Sequence, residues 1–295
     1  MAARRTEDLH DAALGLDQRP SLEIASILAE GQIEATTAVR AALPTIAEAA
    51  SAMAATVRDG GRLHYVAAGS SGLMAAADAQ ELGGTFGIAP AQLRIHMAGG
   101  LPTGVEMPGE TEDATNDLGE ALSALSPRDT MIAVSASGAT PYTLAAADIA
   151  KTQGATLIAI ANNRDAPLLE MADHAILLQT PPEVLSGSTR MGAGTAQKVA
   201  LNMLSTLMAV ALGHVHDGMM VNVRADNIKL RDRANRIVQQ VADVPEETAR
   251  EALEAAGGHV KPAVLIAARG LSLTAARDAL SDTGGHLRPA LDRTR

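Results

Sequence analysis

The sequence predicts an α/β protein in which helices cover both faces of a parallel sheet. Two observations support this prediction: short apolar runs typical of buried strands alternate with helix-like patterns, and two of these runs end in loops rich in Ser and Gly. Since strands that alternate with helices form right-handed parallel crossovers, we expect a three-layer, flavodoxin-like sheet. The predicted strands are residues 63–68, 93–97, 131–134, 155–161 and 174–178.

Composition indicates a protein with a sizeable core and no affinity for nucleic acid. The chain has 295 residues, 47% of them hydrophobic, and a net charge of −10 without a basic cluster, whereas nucleic-acid backbones require clustered Lys and Arg. It has no cysteine, which excludes disulfides, Fe–S clusters and thiol catalysis. Residues 1–10 lack the apolar core of a signal peptide, and no run reaches the roughly 20 apolar residues of a membrane span. We therefore expect a cytoplasmic protein without a membrane partner.

A first polar loop follows the strand at residues 63–68. It contains Gly69, Ser70, Ser71 and Gly72, and a helix-like pattern comes after it. Unpaired N–H groups at the start of such a helix lie at the positive end of its dipole, so together with two hydroxyls they suit a phosphate. Tight-turn chemistry alone also explains these residue types, so this loop by itself leaves both interpretations open.

A second loop of the same kind follows the strand at residues 131–134. It contains Ser135, Ser137, Gly138 and Thr140, and Pro141 then starts a helix, where the missing N–H costs least. Because the carboxyl ends of parallel strands meet at one sheet edge, we expect the two loops to bind one anion, most naturally a sugar phosphate. The alternative is ordinary capping and turn chemistry.

An acidic segment, residues 103–117, lies between the second predicted strand and the strand that leads to the second loop. Its position predicts that its acids approach the same sheet edge, and the alternative is a solvated acidic surface loop. The acids are Glu106, Glu110, Glu112 and Asp113.

A polar stretch, residues 181–198, precedes a predicted apolar helix at residues 200–212. Its Ser186, Ser188 and Thr189 could close over a ligand, and Arg190 could pair with a carboxylate or phosphate through a bidentate fork. Equally, this stretch could be a helix-capping loop in which Thr195 and Gln197 have structural roles.

Three regions are predicted along the chain. Residues 1–58 form an amino-terminal helical segment, with two helices between residues 21 and 57 and a kink at Pro44 in the second. Residues 59–243 form the sugar-phosphate-binding domain and end in one or two long helices at residues 214–241. Residues 244–295 form a small helical domain, with Pro245 at the boundary. Its three predicted helices are residues 246–256, 262–268 and 272–281.

Six segments together resemble the bacterial N-acetylmuramic acid 6-phosphate etherases, members of the sugar isomerase (SIS) superfamily related to the glucokinase regulatory protein. They are AAGSSG, DAQEL, ETEDATNDL, SASGATPY, SGSTRMGAGTAQKVALNMLST and NIKLRDR. The similarity runs from about residue 21 to the carboxyl terminus and is most specific over residues 186–206. It implies an SIS domain for the sheet region and a ubiquitin-associated-like cap for residues 244–295.

The resemblance implies a lyase that cleaves the D-lactyl ether at C3 of N-acetylmuramic acid 6-phosphate in cell-wall amino sugar recycling, with no metal or cofactor. Glu81 matches the acid that protonates the departing lactate, and Glu112 matches the base at C2. SIS domains commonly build sites across a subunit interface, which implies a homodimer. The implied binding residues for the phosphorylated amino sugar are Ser70, Ser71, Ser135, Ser137, Thr140, Ser188 and Arg190.

Two cationic side chains of the family pattern are missing. Leu73 stands where the family usually has Arg, and Gly192 where it commonly has Lys, while residues 82–84 replace a Cys-Pro-Pro run. These losses predict weaker recognition of phosphate or of the lactyl carboxylate. Two alternative functions are a phosphosugar aldose–ketose isomerase, which needs no acid at C3, and a non-catalytic sensor that binds a phosphosugar and a protein partner.

Overall fold

The computed structural model describes residues 5–107, 111–223, 225 and 227–294. The chain divides into two compact units. The sheet unit comprises Met1–Ala79 and Ala91–Ser205, and the helical unit comprises Gln80–Pro90 and Thr206–Arg295. The domain boundaries expected after residues 58 and 243 stay predictions, and Glu110 lies outside the described residues.

Two helices open the sheet unit, as predicted: α1 (Ser21–Thr37) and α2 (Leu43–Arg58). The expected kink at Pro44 is wrong, because Pro44 lies in the first turn of α2. A proline there removes no helical hydrogen bond and needs no bend. The apolar face of α2 buries Ile46 and Met53 completely.

A five-stranded parallel sheet follows, in the order β2-β1-β3-β4-β5, which confirms the predicted three-layer fold. All residues of β1 and β3 are buried, as expected for central strands covered on both faces. The successive elements are β1 (Leu63–Ala67), α3 (Gly69–Phe86), β2 (Leu93–Met97), α4 (Leu118–Ala121), β3 (Thr130–Val134), α5 (Pro141–Thr152), β4 (Thr156–Ala161), α6 (Pro167–Met171), β5 (His174–Leu177) and α7 (Gly192–Ala211).

Two of these helices begin earlier than the sequence pattern predicts. The structure places Ser70 and Ser71 in the first turn of α3, where a loop was expected, because the Gly72 N–H already donates to the Ala68 carbonyl at 2.9 Å. Likewise, α7 begins at Gly192 instead of residue 200. Small residues with weak helix propensity occupy both helix starts, so the apolar periodicity does not show where these helices begin.

The helical unit has a small hairpin and five helices of its own among the described residues. They are β6 (Val215–His216), β7 (Met219–Met220), α8 (Ile228–Ala242), α9 (Glu246–Ala255), α10 (Val260–Arg269), α11 (Leu273–Ser281) and α12 (Leu287–Arg293). The helix expected from residue 214 is therefore wrong over its first part, where Asp217 and Gly218 turn the chain with positive φ. A fourth helix, α12, follows the three predicted ones and adds buried Leu287 to the core. Across the described ranges, no helix combines the length and apolar character that crossing a bilayer requires.

A histidine pair joins two strands of the sheet unit. His64 of β1 and His96 of β2 stack in parallel, with ring centroids 5.3 Å apart and His64 Nδ1 3.1 Å from His96 Nε2. Burial and, after it, the neighbouring His96 lower the pKa of His64 to about 4, while Asp129 opposes the shift. Burial also lowers the pKa of His96. The folded sheet unit therefore holds His64 as a neutral imidazole at neutral pH.

This burial predicts that the protein loses stability in mild acid. The unfolded chain takes up a proton near pH 6.5 whereas folded His64 does so only near pH 4, so its contribution is lost as the pH falls through that window. The change for His64 is at most about 3 kcal/mol. Urea unfolding followed by circular dichroism between pH 7.5 and 4.5 measures it. We expect a shallower pH dependence for His64→Gln, and parallel curves for variant and wild type would contradict this assignment.

Candidate active site

The second loop forms a compact hydroxyl cluster between β3 and α5. Ser135 Oγ lies 2.8 Å from Thr140 Oγ1 and 3.3 Å from Ser137 Oγ, and it accepts a hydrogen bond from the Gly138 N–H at 3.0 Å. Gly138 has φ +64°, and a Cβ there would lie 2.3 Å from Ala166 Cβ, so only glycine fits. The structure therefore brings together the three hydroxyls that the sequence singled out in this loop.

The first loop is the opening turn of α3. Gly69 begins the helix with φ +53°, Ser70 is half-buried, and Ser71 is 7% exposed. Within the described part of the chain, neither serine hydroxyl has a hydrogen-bond partner. These hydroxyls and the first N–H groups of α3 are thus available to an anion at the carboxyl edge of the sheet.

Glu112 contacts both loops. Its backbone carbonyl accepts a hydrogen bond from the Tyr142 N–H at 3.0 Å, at the start of α5. Its carboxylate lies over the start of α3, so that a Cβ added to Gly69 would be 2.5 Å from Oε1. The side chain is otherwise exposed. The acidic segment therefore approaches the predicted sheet edge, as its position in the sequence indicated.

Glu81 lies on the exposed side of α3, twelve residues after Gly69. Its Oε2 accepts a hydrogen bond from Thr85 Oγ1 at 3.4 Å. One turn of α3 corresponds to about 5.4 Å, so the two positions are ~18 Å apart along the helix axis. The predicted role of Glu81 as the catalytic acid stays a prediction.

Asp78, three residues before Glu81, is the buried acid of the DAQEL motif, and sequence reasoning did not single it out. Tyr65 Oη donates to its Oδ2 at 3.1 Å, while Asn202 Nδ2 and Ser205 Oγ each donate to Oδ1 at 2.9 Å. Burial raises the pKa of Asp78, and these hydrogen bonds oppose the shift. The network joins α3 to β1 and α7 and fixes the direction in which α3 leaves the sheet.

The segment before α7 is a capping loop. Glu183 is 5% exposed and accepts hydrogen bonds from the Gly192 and Ala193 N–H groups, each at 2.8 Å. Thr195 and Gln197 bond within the protein, to Gln32 and Asn162 respectively. This confirms the structural interpretation of those two residues, because their polar atoms are already engaged.

Two further predicted binding residues, Ser188 and Arg190, precede the amino terminus of α7. Ser188 is half-buried and Arg190 is exposed. Among the residues that the structure describes, neither contacts the hydroxyl cluster, and Arg190 forms no ion pair. Their predicted role in binding therefore stays a prediction.

The chain is similar to known proteins in one domain, in its fold and, over most of its length, in its sequence. Residues 105–212 match the family model "SIS domain". In overall structure the chain is similar to a protein of Listeria monocytogenes described as a sugar-phosphate isomerase, with a TM-score of 0.50 and 15% identity, covering 65% of this chain and 92% of that one. At this identity the likeness supports the fold alone.

Curated relatives are much more similar in sequence, and they carry the name N-acetylmuramic acid 6-phosphate etherase. The relative from Deinococcus radiodurans is 42% identical, covering 91% of this chain and 88% of its own length. Those from Streptomyces coelicolor and Mycolicibacterium smegmatis are each 40% identical, covering 88% and 92% of this chain and 85% and 92% of their own lengths. With both predicted acids and both hydroxyl loops present, the chain belongs to the N-acetylmuramic acid 6-phosphate etherase family.

Proposed function

We infer that this protein cleaves the D-lactyl ether of N-acetylmuramic acid 6-phosphate, a carbon–oxygen lyase reaction that yields D-lactate and N-acetylglucosamine 6-phosphate. Family membership supports the reaction. The structural observation that supports it most directly is the position of Glu112, whose carboxylate lies beside the first hydroxyl loop while its backbone bonds to the start of α5, directly after the second loop. A base in that place lies next to a bound phosphosugar.

We assign the 6-phosphate to the two loops. Hydroxyl groups and backbone N–H groups at the carboxyl edge of the sheet offer several donors without a nearby cation. The residues proposed to contact it are Ser70, Ser71, Ser135, Ser137 and Thr140, with Ser188 and Arg190 proposed to approach the same ligand from the segment before α7.

In the proposed reaction, the open-chain sugar presents an aldehyde at C1, which acidifies the hydrogen on C2. Glu112 removes that proton, the electron pair forms the C2–C3 double bond, and the C3–oxygen bond breaks. Glu81 gives a proton to the departing oxygen, so lactate leaves with a neutral hydroxyl. Water then adds across the double bond, with its hydroxyl on C3 and its hydrogen on C2. The substrate and one water thus yield the two products.

The spacing along α3 bears on how the two acids reach one sugar. Glu112 lies beside Gly69, and the backbone of Glu81 lies twelve residues further along the same helix, a rise of ~18 Å. We therefore propose a homodimer in which each site combines Glu112 of one protomer with the partner subunit's Glu81. We also propose that the enzyme works in the cytoplasm, because a phosphorylated sugar does not cross an apolar membrane unaided.

A direct test separates the roles of the two acids. In D₂O, Glu112→Gln should prevent deuterium entry at C2 of N-acetylglucosamine 6-phosphate, because no base removes the C2 hydrogen. Glu81→Gln should keep that exchange and lose D-lactate release from N-acetylmuramic acid 6-phosphate. Mass spectrometry and a D-lactate assay report the two results.

Exposed Glu120 of α4 supplies the matched control, and Glu120→Gln should behave as wild type in both assays. Wild-type turnover in both acid variants would refute the assignment. A wild-type protein that isomerises a phosphosugar without releasing D-lactate would instead support the isomerase alternative.

A second test measures whether the close approach of Glu112 to Gly69 contributes to kcat. Gly69→Ala places a methyl group 2.5 Å from Glu112 Oε1 and imposes φ +53° on a residue with a Cβ. We expect kcat to fall about tenfold or more, the effect of losing about 1.36 kcal/mol of transition-state stabilisation. Gly84, on the same helix, has open space around an added Cβ. Gly84→Ala should therefore keep wild-type kcat, and equal kcat in both variants would contradict the proposed contact.

A third test addresses the shared site. Glu81→Gln and Glu112→Gln chains are co-expressed with different affinity tags and purified as mixed dimers. If each site combines one acid from each protomer, one of the two sites in a mixed dimer is intact, so the purified mixed dimers should keep about half of the wild-type D-lactate release. If both acids come from one chain, every site carries a substitution and D-lactate release stays at background. That result would overturn the shared site and leave the reaction itself untouched.

A further inference from the structure

The first described residues of the chain lie against two loops of the sheet unit. Thr6 is 4% exposed, and its Oγ1 accepts a hydrogen bond from Asn163 Nδ2 at 3.2 Å. Next to it, Ser186 Oγ donates to the carbonyls of Glu7 and Asp8, both at 3.4 Å. Thr6 is thus a buried anchor, whereas Glu7 and Asp8 are exposed. No part of the proposed reaction uses this segment.

Asn163 connects that anchor to the second hydroxyl loop. It follows β4, is 5% exposed, and its Nδ2 also donates to the Ser137 carbonyl at 3.4 Å. Within the described residues its Oδ1 has no partner, so the two Nδ2 contacts alone fix the orientation of the amide. The bond to Thr6 is the shorter of the two. Loss of the Thr6 acceptor would leave Asn163 held only by the long bond to Ser137.

Ser137 in turn shapes the hydroxyl cluster. Its Oγ lies 3.3 Å from Ser135 Oγ and accepts a hydrogen bond from the Ala139 N–H at 3.2 Å. A rotation of the Ser137 carbonyl turns the peptide group that leads into Gly138, where positive φ and the contact with Ala166 leave little freedom. Thr6 is therefore connected through Asn163 to Ser137, whose position sets the geometry of the loop assigned to the phosphate.

We propose that Thr6 is a positioning residue for the phosphosugar site. Through Asn163 it holds the Ser137 carbonyl, and with it the hydroxyl cluster, in the conformation that binds the 6-phosphate. Thr6 itself does not touch the ligand. This proposal rests on the assignment of the second loop to the phosphate, made above. It predicts an effect on ligand affinity from a residue that is distant in the sequence from every group assigned to the ligand.

The experiment compares Thr6→Val, Thr6→Ser and wild type. Valine keeps the volume of the buried side chain and removes the acceptor, whereas serine keeps the hydroxyl. Calorimetric titration with N-acetylglucosamine 6-phosphate should show Kd raised about fivefold in Thr6→Val, as expected for one lost hydrogen bond, and within about twofold of wild type in Thr6→Ser. In the D-lactate assay, Thr6→Val should raise KM while kcat stays within about twofold of wild type.

Thr37→Ala is the matched control, because among the described residues the Thr37 hydroxyl bonds only to the Glu34 carbonyl of α1, so its loss should have no effect on Kd. Wild-type affinity in Thr6→Val, or equally weak binding in Thr6→Val and Thr6→Ser, would overturn the proposal. If wild type binds the phosphosugar but releases no D-lactate, the lyase reaction fails while the same titration still decides the role of Thr6. If wild type does not bind it at all, the positioning role fails as well.

Discussion

The close approach of Glu112 to Gly69 is the constraint on which the proposed chemistry depends. A carboxylate oxygen lies where any other residue at position 69 would place its Cβ, and the same glycine has a positive φ that lets α3 begin directly after β1. The backbone of Glu112 is held independently by the Tyr142 N–H. One acid is therefore fixed against the starts of two helices that follow neighbouring strands, and the parallel order of β1 and β3 brings those starts to one edge.

The two acids of the DAQEL motif have different surroundings, although residues three apart are neighbours on one helix surface. Asp78 faces inward and accepts hydrogen bonds from β1 and α7, so its charge and its position serve the packing of α3. Glu81, three residues later, is exposed, and its carboxylate accepts a 3.4 Å hydrogen bond from Thr85 Oγ1. Because Asp78 lies one turn before Glu81, the network that holds Asp78 also orients this part of α3.

Much of the fold could be predicted because buried strands leave a strong apolar pattern. The five strands at the predicted positions are almost free of charged side chains, and the loops after β1 and β3 follow them immediately. The starts of α3 and α7 could not be predicted, because Gly69 and Gly192 are poor helix formers whose helices begin through tertiary contacts. Thr6 and Asn163 were missed for a similar reason: a single hydrogen bond across 157 positions leaves no local pattern. For the site, the residue pattern predicted the two hydroxyl loops and the family resemblance predicted Glu81 and Glu112, whereas the contact of Glu112 with Gly69 could be seen only in the coordinates.

The absence of the family's lysine at position 192 agrees with the packing around the start of α7. An added Cβ at Gly192 would lie 3.0 Å from both Ala35 Cβ and Glu183 Oε2, so a longer side chain there requires the neighbours to move. The Gly192 and Ala193 N–H groups already donate to the Glu183 carboxylate, so they are not available to a phosphate. The start of α7 is therefore a poor site for phosphate in this chain. Within the β1 and β3 loops, anion binding then depends on neutral donors, with Arg190 proposed to approach from outside them. The placement of each hydroxyl matters more there than it would beside a lysine, because a neutral hydrogen bond is weaker and more directional than an ion pair.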